Sequence, residues 1–394
     1  MRHTATVAPR PNRLVVEAPL GAELALFHLD SRRLHILNGS AAAIWRRLGE
    51  AETIGDLAVG LGDEFGVSPA DIRLDVERTV EQLRADGLLQ ADERGNLPAT
   101  PPRRRDRDHS GDVSGLACFA ALDARLGIVC PDAEIASAIE DALAPLRCDR
   151  SPDVVLVIEP GPGDTWTLTV GTGSPATLGS RLSVVLRALA EVNALAVASV
   201  PDHLVLHAGA VAHDGRGVLL PGGSNHGKST LTTALLGAGF GYLTDEAAAI
   251  TDQLRIRPFP KSIALDPGSF PLFPDLAPDP QDGVARALAG REWHVDPARV
   301  GELCGPVPIS AVVCPQWRAG AATRVTPVAP VEALHLLLGD AFDFRVGGQG
   351  VFQRLVEIVA HVPVVRLGYS DTAEAVAAVG DTLAATMVGS AVTI

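Results

Sequence analysis

This sequence predicts a large α/β domain preceded by a small α+β, winged-helix-like domain. Three observations lead there. Gly217–Leu236, GVLLPGGSNHGKSTLTTALL, places a short apolar run, a glycine-rich loop and an amphipathic stretch in succession. From Gly115 onward, strand-like and helix-like segments alternate. Within residues 13–92, three short strand patterns precede three helical ones, and a Pro- and charge-rich stretch follows. The expected boundaries are 13–96 for the first domain, 97–114 for a linker and 115–390 for the second domain.

Bulk composition narrows the partners. A chain of 394 residues that is 47% hydrophobic can build two or three domains with real cores. A net charge of −14 leaves no broad basic surface to neutralise a phosphate backbone, which argues against a nucleic-acid partner. The five cysteines, Cys118, Cys130, Cys148, Cys304 and Cys314, are odd in number and scattered, with no C-x-x-C. They point to reduced thiols in a cytoplasmic protein, not to disulfides or zinc. The start, MRHTATVAPRPN, lacks the apolar run of a signal peptide. The greasiest helical stretch, Val184–Val200, carries Arg187, Glu191 and Asn193, so no membrane span is expected. Oligomeric state stays open, a homo-oligomer included.

In the first domain, RLVVEAP, ELALFHLD and RLHILN read as strands separated by turn formers. Asn38-Gly39-Ser40 caps a helix, AAAIWRRL, with Ile44, Trp45 and Leu48 facing a core. A second helix runs from Thr53 to Leu61. The third starts at Ser68 with Pro69 in its first position and Asp71 completing a capping box. Ile72, Val76, Val80 and Leu83 recur at helical spacing, and Gly87 ends it. GLLQADERGNL would form a wing. Asp71, Asp75, Glu77, Glu81 and Asp86 outnumber the arginines on the third helix, a poor surface for a DNA groove.

On LHILNGSAAAIWRRL and VERTVEQLRADGLL, this unit resembles the PqqD-like peptide-recognition domains found in pathways for ribosomally made, modified peptides. The resemblance implies binding of a precursor's leader peptide, which adds as a strand to the small sheet and packs on the third helix. A DNA-binding winged helix and a purely structural cap are the competing readings. The linker, LPATPPRRRDRDHSGDVS, is read as solvated chain, with Arg103-Arg104-Arg105 available to an acidic partner.

The α/β part reads in order. LACFAALDARLGIV gives strands and PDAEIASAIEDALAPL a helix starting near Asp132; DVVLVIEP and TWTLTVG are strands, and Pro175–Ser199 a long helix. HLVLHAGAVAHDGRGVLL holds two strands joined through Asp214-Gly215. FGYLTDEAAAITDQLRIRPF holds strands around Asp245-Glu246, and residues 258–307 read as long loops. PISAVVCPQW is a buried strand. Helices at about 331–338 and 350–360, a strand PVVRL and a last helix from Thr372 follow.

The loop Gly222–Ser229 matches G-x-x-x-x-G-K-S in full. Gly222, Gly223, Ser224, Asn225, His226, Gly227, Lys228, Ser229 and Thr230 are the candidate nucleotide cradle. Glycines let consecutive N–H groups turn inward on a polyphosphate, and the helix start adds its positive dipole end. Lys228 would reach the β- and γ-phosphates of ATP, and the Ser229 hydroxyl would ligate Mg²⁺. His226, at a variable position, is given no side-chain role. The bland reading is a Gly-rich turn with an incidental Lys-Ser.

His207 lies 21 residues before Lys228, and the pair Asp245-Glu246 follows the loop's helix. This order of His, P-loop and acidic pair resembles bacterial HPr kinase/phosphorylase, a P-loop kinase related in fold to phosphoenolpyruvate carboxykinase. The resemblance is specific over residues 204–250 and covers roughly 115–385. It implies that His207 is an active-site histidine, that Asp245 matches the first acidic position, here also a candidate second metal ligand beside Ser229, and that Glu246 stands where the family has an aspartate acid/base. The family's HPr-binding signature is absent, so HPr is not indicated as substrate. Lys261 is read either as a phosphate or acceptor contact or as a surface lysine. Three functions are weighed: a kinase that captures a precursor peptide by its leader and phosphorylates a hydroxyl, a serine above all; a nucleotide-gated peptide chaperone without catalysis; and a small-molecule kinase.

Overall fold

The computed structural model describes residues 7–90, 117–223, 226–342 and 347–390, the side chains of 387–390 excepted. It divides into two compact units, 1–101 with 343–360, and 102–342 with 361–394. The linker prediction at 97–114 and the loop positions Ser224 and Asn225 lie outside the described residues.

The first unit opens with β1 (Val15–Leu20), β2 (Glu23–His28) and β3 (Arg33–Leu37), an antiparallel meander in that order. Then come α1 (Gly39–Leu48), α2 (Ile54–Phe65) and α3 (Pro69–Ala85). Asn38 caps α1 by accepting from Ala41 N–H. Thr53 and Asp56 form a full capping box on α2, which runs one turn past its expected end to the left-handed Gly66. At α3, Ser68 accepts from Ala70 N–H, and the reciprocal bond expected of Asp71 is replaced by this single cap. Leu24, Leu26, Trp45, Leu48, Leu57, Leu61, Val76, Val80 and Leu83 form the core between the sheet and the helices. Of the expected wing, Leu89 bridges Pro11 and Gln90 N–H donates to Arg10 O at 2.8 Å. Residues 91–97 of that prediction lie outside the described residues.

The second unit holds β4 (Ala117–Ala121), β5 (Ala124–Val129), α4 (Ala133–Leu143), β6 (Val154–Pro160), β7 (Trp166–Val170), β8 (Ala176–Leu178) and α5 (Arg181–Ala198). The five strands form one sheet in sequence order, on which α4 and α5 pack. The first turn of the expected long helix is therefore strand β8; the helix begins only after the Ser180 cap. Next are β9 (Leu204–Leu206), β10 (Ala208–His213), β11 (Arg216–Pro221), α6 (Lys228–Gly237), β12 (Gly241–Thr244), β13 (Ala248–Ile250) and β14 (Arg255–Arg257). The region expected to be loop contains β15 (Ile263–Leu265), α7 (Gly283–Ala289) and β16 (Trp293–Val295), with β15 and β16 paired. Then follow β17 (Val307–Trp317), β18 (Arg324–Pro327), α8 (Pro330–Asp340), α9 (Gly348–His361), β19 (Val364–Tyr369) and α10 (Thr372–Ser390).

Among the described residues, a nine-stranded sheet runs β12-β10-β11-β17-β14-β13-β9, with β19 on β17 and β18 on β19. β11 lies between antiparallel β10 and parallel β17. Val218, Leu220, Leu231, Leu235, Ala311, Val313, Leu367, Tyr369, Val379 and Leu383 bury the face under α6 and α10. Thus the P-loop leaves a strand fixed on both edges and enters a helix packed beneath the sheet.

α9 belongs with the first unit, although its residues were expected within the second domain. Phe352 stacks on Phe27 of β2, ring centroids 5.6 Å apart. Gln349 accepts from Glu17 N–H at 2.9 Å and donates back to Glu17 O, so one side-chain amide satisfies both backbone groups of Glu17 on the β1 edge. Buried Val16, Ala18, Ala25 and Phe27 occupy the sheet face opposite the helical core.

Candidate functional site

The site gathers at the ends of β9–β12. β11 stops at Pro221, and Gly222 (φ 151°) turns the chain where a side chain is strained. Gly227, at φ 85°, caps α6; a Cβ there would collide with the Tyr369 hydroxyl, so glycine is required twice over. Tyr369 in turn donates to Gly227 O at 3.3 Å. Lys228 is 7% exposed and curls back over the loop, donating to the carbonyls of Gly222 and Gly223. Burial pulls its ammonium below the usual lysine range, and nearby Asp340, Glu246, Asp245 and Asp266 oppose the shift in that order. Ser229 sits half-buried in the first turn of α6. The Thr230 hydroxyl meets that of Ser269 at 2.5 Å, so a loop residue is tied to the segment after β15. His226 is exposed beside Gly222 and Gly223.

The acidic pair divides. Thr244 Oγ1 accepts from the N–H groups of Glu246 and Ala247 at 3.2 and 3.3 Å, folding the turn after β12 so that Asp245 and Glu246 part. Asp245 is buried: Oδ1 accepts from Tyr242 O–H at 3.0 Å and Oδ2 from Ala264 N–H at 2.9 Å. Burial raises it above the ordinary carboxylate range, with Lys261 pulling it back. Glu246 is more open, its Oε1 3.8 Å from His207 Nδ1 and its Oε2 3.4 Å from Lys261 Nζ. His207 occupies the one-residue break between β9 and β10. That break frees its side chain from the strand pleat, and Phe342 meets its ring edge-on at 6.3 Å.

Lys261, weighed above as a surface lysine, is 4% exposed, and its carbonyl accepts from Tyr242 O–H at 2.9 Å. Beyond it, His294 and Glu292 pair at 3.0 Å; that bond first, helped by Lys261, lowers the Glu292 carboxyl. Sequence reasoning missed Asp340, at the end of α8, whose charge acts on Lys228. Burial raises its carboxyl, while Lys228, His207, His226 and the Gly222 N–H pull it back.

Among the described residues no group of three or more His, Cys, Asp and Glu could hold a metal ion. The Ser229 hydroxyl and the carboxylates Glu246 and Asp340 are hard oxygen donors. Such a sparse set suits Mg²⁺ that arrives on nucleotide phosphates, one or two protein oxygens completing its shell. Asp245, with both oxygens engaged by protein donors, is the less available ligand. Asp245→Asn would leave Tyr242 or Ala264 without its acceptor and should destabilise the fold by about 1–3 kcal/mol, read as a lower urea midpoint.

Residues 23–89 match the family model described as coenzyme PQQ synthesis protein D (PqqD). The first unit therefore carries a PqqD-like domain on a mixed α/β chain. A solved structure, TbiB1 in complex with the TbiA(beta) leader peptide, is 21% identical over 22% of this chain and 99% of that one, with a TM-score of 0.20. No curated protein matches the chain. Among the described residues no helix is long and apolar enough to cross a membrane.

Proposed function

We propose that this protein is an ATP-dependent peptide kinase whose PqqD-like domain captures a precursor peptide by its leader. The observation that supports the catalytic half is Glu246, bracketed by His207 and Lys261, in the same unit as a loop of P-loop sequence whose Lys228 folds back on Gly222 and Gly223. The P-loop N–H groups and Lys228 hold the β- and γ-phosphates. Mg²⁺, when bound, would neutralise charge on the transferring phosphoryl, with Ser229 as its protein ligand. Glu246 takes the proton of the acceptor hydroxyl as the new O–P bond forms and the bond to the ADP leaving oxygen breaks. His207 and Lys261 hold that carboxylate from two sides.

The recognition half rests on the PqqD match and on the free edge of the small sheet. Gln349 occupies the β1 edge, whereas the outer edge of β3 pairs with no strand among the described residues. An extended leader adding to β3 would take its specificity from side-chain pockets and its affinity from main-chain bonds. Joining both domains in one chain raises the effective concentration of acceptor at the nucleotide.

Mass spectrometry of precursor peptide incubated with protein, Mg²⁺ and ATP should show a gain of one phosphate. Glu246→Gln should slow that transfer by about 10²–10⁴-fold with ATP affinity nearly unchanged. A precursor that binds but never gains phosphate while ATP is bound would replace this reading with the nucleotide-gated chaperone.

A further inference from the structure

Two of the five cysteines, 30 positions apart in the chain, meet in the second unit. Cys118 lies on β4, and Cys148 follows the one-turn helix Ala144–Leu146 that continues α4. Phe119 and Arg147 form an antiparallel bridge, which sets Cys118 and Cys148 directly opposite one another. Cys148 N–H donates to Cys118 O at 2.9 Å. An opposed pair bonded in this way holds its Cα atoms about 5.5 Å apart, inside the roughly 4.4–6.8 Å that a disulfide spans. The side chains complete the approach: the two Sγ atoms are 3.3 Å apart, with the Cys148 thiol donating.

We propose that Cys118 and Cys148 are a site of reversible covalent modification, at which hydrogen peroxide oxidises the pair to a disulfide that fastens the end of the α4 segment to β4. This does not depend on nucleotide or peptide binding. Cys148 is half-buried, whereas Cys118 is buried. Burial first, then the hydrogen bond and charge of Cys148, pushes the Cys118 thiol up to about 12. Cys148 therefore reacts first, as the more accessible thiol. Its thiolate attacks a peroxide oxygen; the S–O bond forms as the O–O bond breaks, giving a sulfenic acid and a hydroxide that takes up the thiol's proton. The Cys118 sulfur then attacks the Cys148 sulfur. The S–S bond forms, the S–O bond breaks, and the hydroxyl leaves as water with the Cys118 proton. Two thiols lose two electrons, and one peroxide becomes two waters. Because β4 is the end strand of its sheet, the bond closes residues 119–147 against that edge. The closure removes entropy from the unfolded chain.

The test treats the fully reduced, full-length chain with equimolar hydrogen peroxide. Thiols counted after denaturation should fall from five to three, two being consumed. The intact mass should drop by two hydrogen atoms. A tryptic map should join the peptide ending at Arg125 to Cys148–Arg150. The urea midpoint of the second unit should rise, and dithiothreitol should reverse all four changes. Cys148→Ser should form no link and keep the reduced midpoint with or without peroxide; if it does not fold, Cys148→Ala carries the same expectation. Cys130→Ser should form the link as the wild type does. A link between other cysteines, or Cys148 carried on to the sulfinic acid while Cys118 stays a free thiol, overturns the proposal. A linked chain whose urea midpoint does not rise overturns the fastening role.

Discussion

Lys228→Ala is expected to abolish phosphoryl transfer and to weaken Mg·ATP binding severely, with the fold retained. Lys228 is buried, but its ammonium bonds to the carbonyls of Gly222 and Gly223, not to the core beneath α6. In the nucleotide complex the same group would turn to the β- and γ-phosphates, where charge moves as the phosphoryl leaves. Its removal also takes one positive charge from among the carboxylates that act on it, Asp340, Glu246, Asp245 and Asp266. Calorimetry with Mg·ATP and circular dichroism would be run on the same sample. Unchanged affinity in a folded variant would remove this loop from the nucleotide site.

Residues 1–98 expressed alone are expected to fail as a stable, monomeric domain, despite containing the whole PqqD match. Without α9 the sheet loses Phe352 from over Phe27, on the face that also carries Val16, Ala18 and Ala25, all 5% exposed or less in the intact chain. The Gln349 amide also leaves the β1 edge, and a bare edge with an apolar face invites association. Grafting residues 347–361 behind the fragment through a flexible linker should restore a monomer. In the full chain, Phe352→Ala removes a ring that is fully buried and stacked on Phe27. It should cost about 3–5 kcal/mol, measurable by urea unfolding of the first unit. A fragment 1–98 that is monomeric and as stable as the grafted version would show that α9 is dispensable.

That dependence leaves a trace in the sequence. Leu24 to Phe27 of β2 are four consecutive apolar residues, all buried. A sheet with one wet face would alternate instead, so the run signals a second cover. What it does not say is which helix supplies that cover. The pattern of α9 shows an apolar face and nothing of its destination, and Glu17 and Gln349 are separated by 332 positions. Burial of Lys261 and the parting of Asp245 from Glu246 were equally hidden. Both depend on Tyr242, Thr244 and Ala264 meeting at one turn.

By itself the sequence determined what local chemistry decides: the glycine turn that leads into α6, the caps Asn38, Thr53 and Ser68, and most helices and strands by their periodicity. Within a few residues of a position, dihedral preference and hydrogen-bonding reach dominate, and both are written in residue type. Only the tertiary structure decided that α9 serves the first unit, that Glu246 and not Asp245 opens to His207, and that the carbonyl of Asp340, 133 positions beyond His207, accepts from the His207 N–H. Those outcomes rest on which surfaces bury one another, and packing joins residues without regard to their distance along the chain.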